Sequence, residues 1–338
     1  MPFELSEEQE LIRRTAREFA DQTLQPAAEA MDRDARFPRE VRQGLTDLGF
    51  WGLAVPSDHG GAGLDAVSLV VALEELARRS GSAAAAVLAH NLAARSLPGD
   101  VAQRAATGEV LASLCLSQGP LAATLRGDAK LTGAARLFPL AGIAQHALLP
   151  HGAGWVAVRA GERGATWVPE GTMGLRGAQL GQLVLTDAPA DRVELGFDAL
   201  LSLGLAAVAV GLGQAAVEES ARFAKDRVQF GKPIASFEGV QARLADQAIG
   251  IDAARALTLQ AAALLDQGQP AERLAAEAKV VATEEASRGT RACIRLHGGS
   301  GFLKDFAAER LNRDARMLPL FGGDTAAQRV VAGRALLA

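Results

Sequence analysis

Cysteine is nearly absent: Cys115 and Cys293 are the only two in 338 residues. They lie far apart with no paired spacing, which excludes a disulfide framework and offers no zinc-ligand pattern. Such a chain suits a reducing compartment, and the expected location is cytoplasmic. Charge of one sign is also scarce, since 35 Lys and Arg against 39 Asp and Glu leave a net charge of −4. No concentrated basic face follows, and nucleic acid is not an expected partner. His59, His90, His146, His151 and His297 are scattered without metal-ligand spacing and are expected in loops or on the surface. Neither a Gly-x-Ser-x-Gly elbow nor a Cys/His pairing supplies a nucleophile. The acidic start, Met1 to Glu8, lacks the layout of a signal peptide. The one long apolar run, 200–216, is broken by Gly204, Gly211 and Gly213, so a buried core helix is expected and no membrane span.

The length allows a large core in two or three domains without staples. Ser6 is placed to cap a first helix, with Glu7, Glu8 and Glu10 at its positive end and Leu11, Ile12, Thr15 and Phe19 on its buried face. That helix is expected to stop at Gln25-Pro26. The glycine-rich run from Pro56 to Gly63 follows no strand, so it reads as a close approach of two backbones rather than a dinucleotide loop. Helical periodicity reaches Ala106; short apolar runs at 111–116, 155–158, 166–168 and 183–185 then suggest strands. The helical period returns from Leu200, with interruptions at 227–233, 267–270, 297–301 and 319–323. The expected fold is mainly α: an N-terminal helical domain (1–106), a small middle β-domain (107–197) and a C-terminal four-helix bundle (198–338).

The most informative stretch is Arg227-Val-Gln-Phe-Gly-Lys-Pro-Ile234, with Phe237 and Leu244-Ala245-Asp246 after it. By its residues alone it is a helix–helix turn, stopped by Pro233 and carrying the cations Arg227 and Lys232 outward. It resembles the signature turn of the acyl-CoA dehydrogenase family of flavoenzymes. The resemblance implies that Arg227 reaches the pyrophosphate of FAD in a neighbouring subunit, with Phe230 nearby. It also places Gly298 and Gly299, after helix-ending His297, against that same cofactor, and puts Arg295 where the family usually has glutamine. Asp314, in Arg313-Asp314-Ala315-Arg316, is expected to pair with an arginine in a solvated ion pair.

The middle of the chain departs from the family pattern. Leu116-Ser117-Gln118-Gly119-Pro120 is followed almost at once by Arg126-Gly127-Asp128, so much of the family's flavin-binding loop is missing and Ser117 is the hydroxyl left near its place. Leu137-Phe138-Pro139 replaces a second flavin contact, and Pro139 has no N–H to offer. The family's catalytic glutamate aligns with Gly322, which keeps only a backbone N–H for the thioester carbonyl, and its alternative base position aligns with Leu201. Asp324 is the nearest candidate base, and Asp198 lies close to Leu201. Three functions follow: a partner-completing subunit contributing to a shared FAD site for α,β-dehydrogenation of acyl-CoA, in a homo- or hetero-oligomer; an active dehydrogenase with a displaced base; or a helical binding protein without flavin. The residues kept are those the family presents to its neighbour's cofactor, and those lost serve its own.

Overall fold

The structure, a computed structural model, describes residues 4–117, 123–127, 129–152, 154–193 and 198–337. Helix α1 (Glu7–Phe19) opens with a capping box, in which the Ser6 hydroxyl accepts from Gln9 N–H and the Gln9 side chain accepts from Ser6 N–H. Its buried face is Ala16 and Phe19, whereas Leu11 is exposed. The chain does not stop at Pro26. A π-helical turn (Ala20–Leu24) leads directly into α2 (Gln25–Asp34), where Pro26 occupies the first turn; a missing N–H costs little there. Then come α3 (Arg39–Asp47), α4 (Ala66–Arg79), α5 (Gly81–Ala94) and α6 (Gly99–Ala106). In the glycine-rich run between α3 and α4, a Cβ at Gly61 would come within 2.1 Å of the Val55 carbonyl, which is the close backbone approach the sequence suggests.

Two four-stranded sheets follow, built from β1 (Ala112–Leu114), β2 (Ala123–Arg126), β3 (Lys130–Phe138), β4 (His146–His151), β5 (Gly154–Arg159), β6 (Ala165–Pro169), β7 (Gly181–Pro189) and β8 (Asp191–Val193). Their orders are β1-β4-β5-β8 and β2-β3-β7-β6, antiparallel except for the β1–β4 pair. The sequence reading missed β3, whose alanines and Gly133 give weak strand propensity; pairing with β7 on one side and β2 on the other stabilises it.

The bundle consists of α7 (Asp198–Asp226), α8 (Glu238–Asp266), α9 (Glu272–His297) and α11 (Thr325–Leu337), with α10 (Ala307–Met317) between α9 and α11. Helix α7 is its axis and the most apolar window of α7 is 89% buried, as expected of a core helix. Helix α8 also has the length and apolarity of a span, which the charges in its sequence had concealed, yet only 33% of its window is buried. Asp314 does not form the expected ion pair. It is buried, accepts Leu175 N–H at 2.6 Å, and burial pushes its pKa up to about 6. Arg313 instead bridges Asp32 and Glu309. The histidine expectation also fails twice. His90 is fully buried between the Ala105 carbonyl and Ala112 N–H, with its pKa pulled down to about 4 by desolvation, and His297 is buried at the end of α9.

Candidate functional site

Three segments converge where the sheets meet the bundle: Leu116-Ser117 after β1, Leu137–Pro139 at the end of β3, and Phe321–Gly323 before α11. Leu116 N–H donates to the Leu137 carbonyl (3.2 Å) and Gly322 N–H to the Leu116 carbonyl (2.8 Å), while Ser117 and Phe321 form a bridge. Gly322 and Gly323 have φ of +61° and +79°, a conformation that favours glycine. A Cβ at Gly322 would lie 2.6 Å from Leu205 Cδ1 and 3.4 Å from Leu201 Cγ, so the loop faces leucines from the first turns of α7. Asp324 is exposed, and its Oδ1 accepts Ala327 N–H at 2.8 Å as the cap of α11. Asp198 is exposed at the start of α7.

Polar groups at this pole are mostly engaged within the protein. Leu137 N–H donates to Glu170, and the Pro139 carbonyl accepts from the Ser113 hydroxyl. An acyl carbonyl could take Gly322 N–H only by displacing Leu116. The half-buried Ser117 has a hydroxyl without a partner among the described residues. Gln118, Gly119, Pro120 and Asp128 lie outside those residues. What is described here does not fit a flavin ring well.

The opposite end of α7 is built differently. Strands β9 (Val228–Gln229) and β10 (Lys232–Pro233) form a hairpin, where the sequence suggested a plain turn, and Phe230 and Gly231 at its tip have φ of +55° and +78°. Two positive φ values match the twist of a tight hairpin, but they are unusual for phenylalanine, and Phe230 is 93% exposed. Lys232 lies 4.5 Å from the Phe237 ring centroid. Phe223 stacks on His297 at 4.0 Å, which brings the Arg227 hairpin beside the turn at Gly298 and Gly299. No atom lies within 4 Å of a Cβ built at either glycine. Arg227 and Arg295 are exposed and have no side-chain partner among the described residues. Free guanidinia beside open glycine backbone fit an anionic phosphate.

Under this pole, His297 Nδ1 bonds the Cys293 carbonyl at 2.8 Å and Nε2 faces Glu219 at 3.3 Å. The Cys293 thiol is 3.8 Å from Nδ1, so a Cys/His pair does exist; its four-residue spacing on one helix face was visible in the sequence and was overlooked. Burial pulls the His297 pKa down, but hydrogen bonds to Cys293 and Glu219 outweigh it and push it up to about 9. The folded state therefore holds this proton more tightly than the unfolded chain. Its stabilisation is complete below pH 6.5 and disappears as pH rises through 9. Thermal melts should show stability falling as pH rises from 6.5, a fall that Lys279, with its pKa pulled down to about 8, begins to oppose at about pH 7 and above, and His297→Gln should remove that fall; a fall unchanged by the substitution would remove His297 as its source.

Leu205 and Asp226 are 21 residues apart on α7, so the two poles are roughly 30 Å apart. Residues 6–113 match the model of the acyl-CoA dehydrogenase N-terminal domain and residues 202–337 that of the acyl-CoA dehydrogenase C-terminal domain. The chain belongs to the acyl-CoA dehydrogenase family. It is 33% identical to YngJ of Bacillus subtilis (strain 168), described as a probable acyl-CoA dehydrogenase, over all of both chains. That alignment runs over 383 positions, so this 338-residue chain is the shorter one. It is 30% identical to a 3-(aryl)acrylate reductase of Clostridium sporogenes (strain ATCC 15579), covering 98% of this chain and 99% of the relative. Butyryl-CoA dehydrogenase from Megasphaera elsdenii shares its fold with a TM-score of 0.89 at 27% identity, over the whole of both chains.

Acyl-CoA dehydrogenases are FAD-dependent flavoproteins. Gly322 and Leu201, which the sequence reading expected at the two base positions, face one another with no carboxylate between them among the described residues. The sequence reading missed Lys279 and Gln328, which hold the Gly322 loop from behind. A signal for Lys279 was present: it falls on the buried face of α9 marked by Ala275, Ala282 and Ala286, where an unpaired lysine is out of place.

Proposed function

We propose that this chain is a partner-completing subunit, which lends Arg227, Phe230, Arg295, Gly298 and Gly299 to an FAD held mainly by an acyl-CoA dehydrogenase-type relative in a mixed assembly. The observation that carries this reading is the separation of the two poles along α7. A phosphate-suited surface roughly 30 Å from the chain's own acyl face cannot serve that face. The exposed aromatic tip at Phe230, with Phe302 and Leu303 beside the glycine turn, gives a neighbour apolar surface to cover. At its own pole the chain keeps Ser117 and an apolar wall that suits an acyl group, without a base. Two buried free thiols accord with a reducing, cytoplasmic setting. An active site using Asp324 is disfavoured, because that carboxylate is exposed and caps α11.

Purified alone, the chain should show little flavin absorbance, and co-expression with a full-length relative should bring flavin with it. A full complement of tightly bound FAD in the lone chain would sink the proposal. In the mixed assembly, Arg227→Ala removes a charge-assisted phosphate contact and should weaken FAD retention by about 1.5–3 kcal/mol. Flavin content unchanged by that substitution would take Arg227 out of the site.

A further inference from the structure

Behind the Gly322 loop lies a set of buried donors that the family resemblance did not point to. Lys279 is fully buried, and its ammonium donates to the Gly323 carbonyl. The buried Gln328 amide donates to the Gly322 carbonyl at 2.6 Å. From the loop the bonds continue outward: Gly322 N–H to the Leu116 carbonyl, and Leu116 N–H to the Leu137 carbonyl. An unbroken run of hydrogen bonds thus joins α9 and α11 to the ends of β1 and β3.

We infer that Lys279 and Gln328 are positioning residues, which fix the two left-handed glycines of the loop and through them hold the Ser117 edge of the sheets against the bundle. Burying an ammonium on an apolar helix face is unfavourable, and desolvation pulls the Lys279 pKa down to about 8 although Asp324 opposes it. A methionine would fill the same space without that penalty, so volume alone does not account for a lysine here. The specific acceptor does, since Gly323 has no side chain through which the core could grip it. Ser117 carries the free hydroxyl of this pole, and its place depends on the Leu116 bonds.

The inference deepens the reading of the acyl face, but its test is read on the chain's own amides and stands whether or not an acyl-CoA binds. Amide exchange is followed in the full chain, comparing Gly322 and Leu116 with interior amides of α7. Lys279→Met is expected to speed exchange at Gly322 and Leu116 by about ten-fold or more while leaving α7 unchanged. Lys279→Arg, which keeps a cationic donor, should recover much of the protection. Gln328→Met should act on the same two amides, which gives a second reading if Lys279→Met folds poorly. Equal acceleration at the loop and in α7 would reduce Lys279 to a contributor to global stability, and equal behaviour of the Met and Arg variants would exclude its donor role; either result overturns the inference. Butyryl-CoA titrations alongside separate the two readings: no binding by the unmodified chain counts against the acyl face, without touching the exchange comparison.

Discussion

Butyryl-CoA presented to the chain alone, with added FAD and an artificial electron acceptor, is expected to turn over at least 10²- to 10⁴-fold more slowly than with a family member carrying a carboxylate at the loop, the usual range for a positioned general base. The α-proton needs an acceptor while hydride leaves the β-carbon, and the proposed acyl face offers Gly322, Leu201 and Leu205. Restoring the carboxylate by Gly322→Glu should not suffice. The backbone there has φ +61°, which disfavours a side chain by about 1–2 kcal/mol, and the new Cβ would sit 2.6 Å from Leu205 Cδ1. That contact is with the end of a flexible side chain, so Gly322→Glu combined with Leu205→Ala is the variant with room for the base. Acceptor reduction followed by absorbance checks each case. Robust oxidation by the unmodified chain, abolished by Asp324→Asn, would make Asp324 the base and defeat the partner-completing reading.

Arg78→Met should lower stability by about 3 kcal/mol, at the low end of the range for breaking a buried ion pair. The guanidinium, 12% exposed, hydrogen-bonds Asp21 and Glu218 and lies 3.3 Å from Glu75. It thereby ties the π turn after α1, helix α4 and helix α7 together. Glu75 would lose one of its two cations while remaining 6% exposed. Arg17 and Arg79 stay in place to hold Glu75, Asp21 and Glu218, which keeps the loss from being larger. Urea unfolding gives the value. The double variant Arg78→Met with Glu218→Gln should recover part of it, because one carboxylate then no longer needs a cation. A loss under 1 kcal/mol in the single variant would mean that the network is solvated and carries little.

The sequence by itself determined the order of helices, sheets and helices, the cap at Ser6, the break between helices from Arg227 to Ile234 and the glycine turn at Gly298, because these follow from local periodicity, turn chemistry and a contiguous motif. It also put Gly322 where the resemblance implies a carboxylate. Tertiary structure alone decided what those residues face. Leu201 and Gly322, 121 positions apart, meet only because α7 and the α10–α11 connection pack together. The ends of α7 and α9, which carry Arg227 and Gly298, pack together through the stack of Phe223 on His297. The buried His90 and His297 and the unpaired Asp314 departed from the sequence reading because whether a polar group is solvated depends on how the helices and sheets pack; the helix through Pro26 departed for a local reason, since a proline in the first turn gives up an N–H that needs no partner. Lys279 is the clearest case, since its meaning comes from a carbonyl 44 residues away and no local pattern can name that partner.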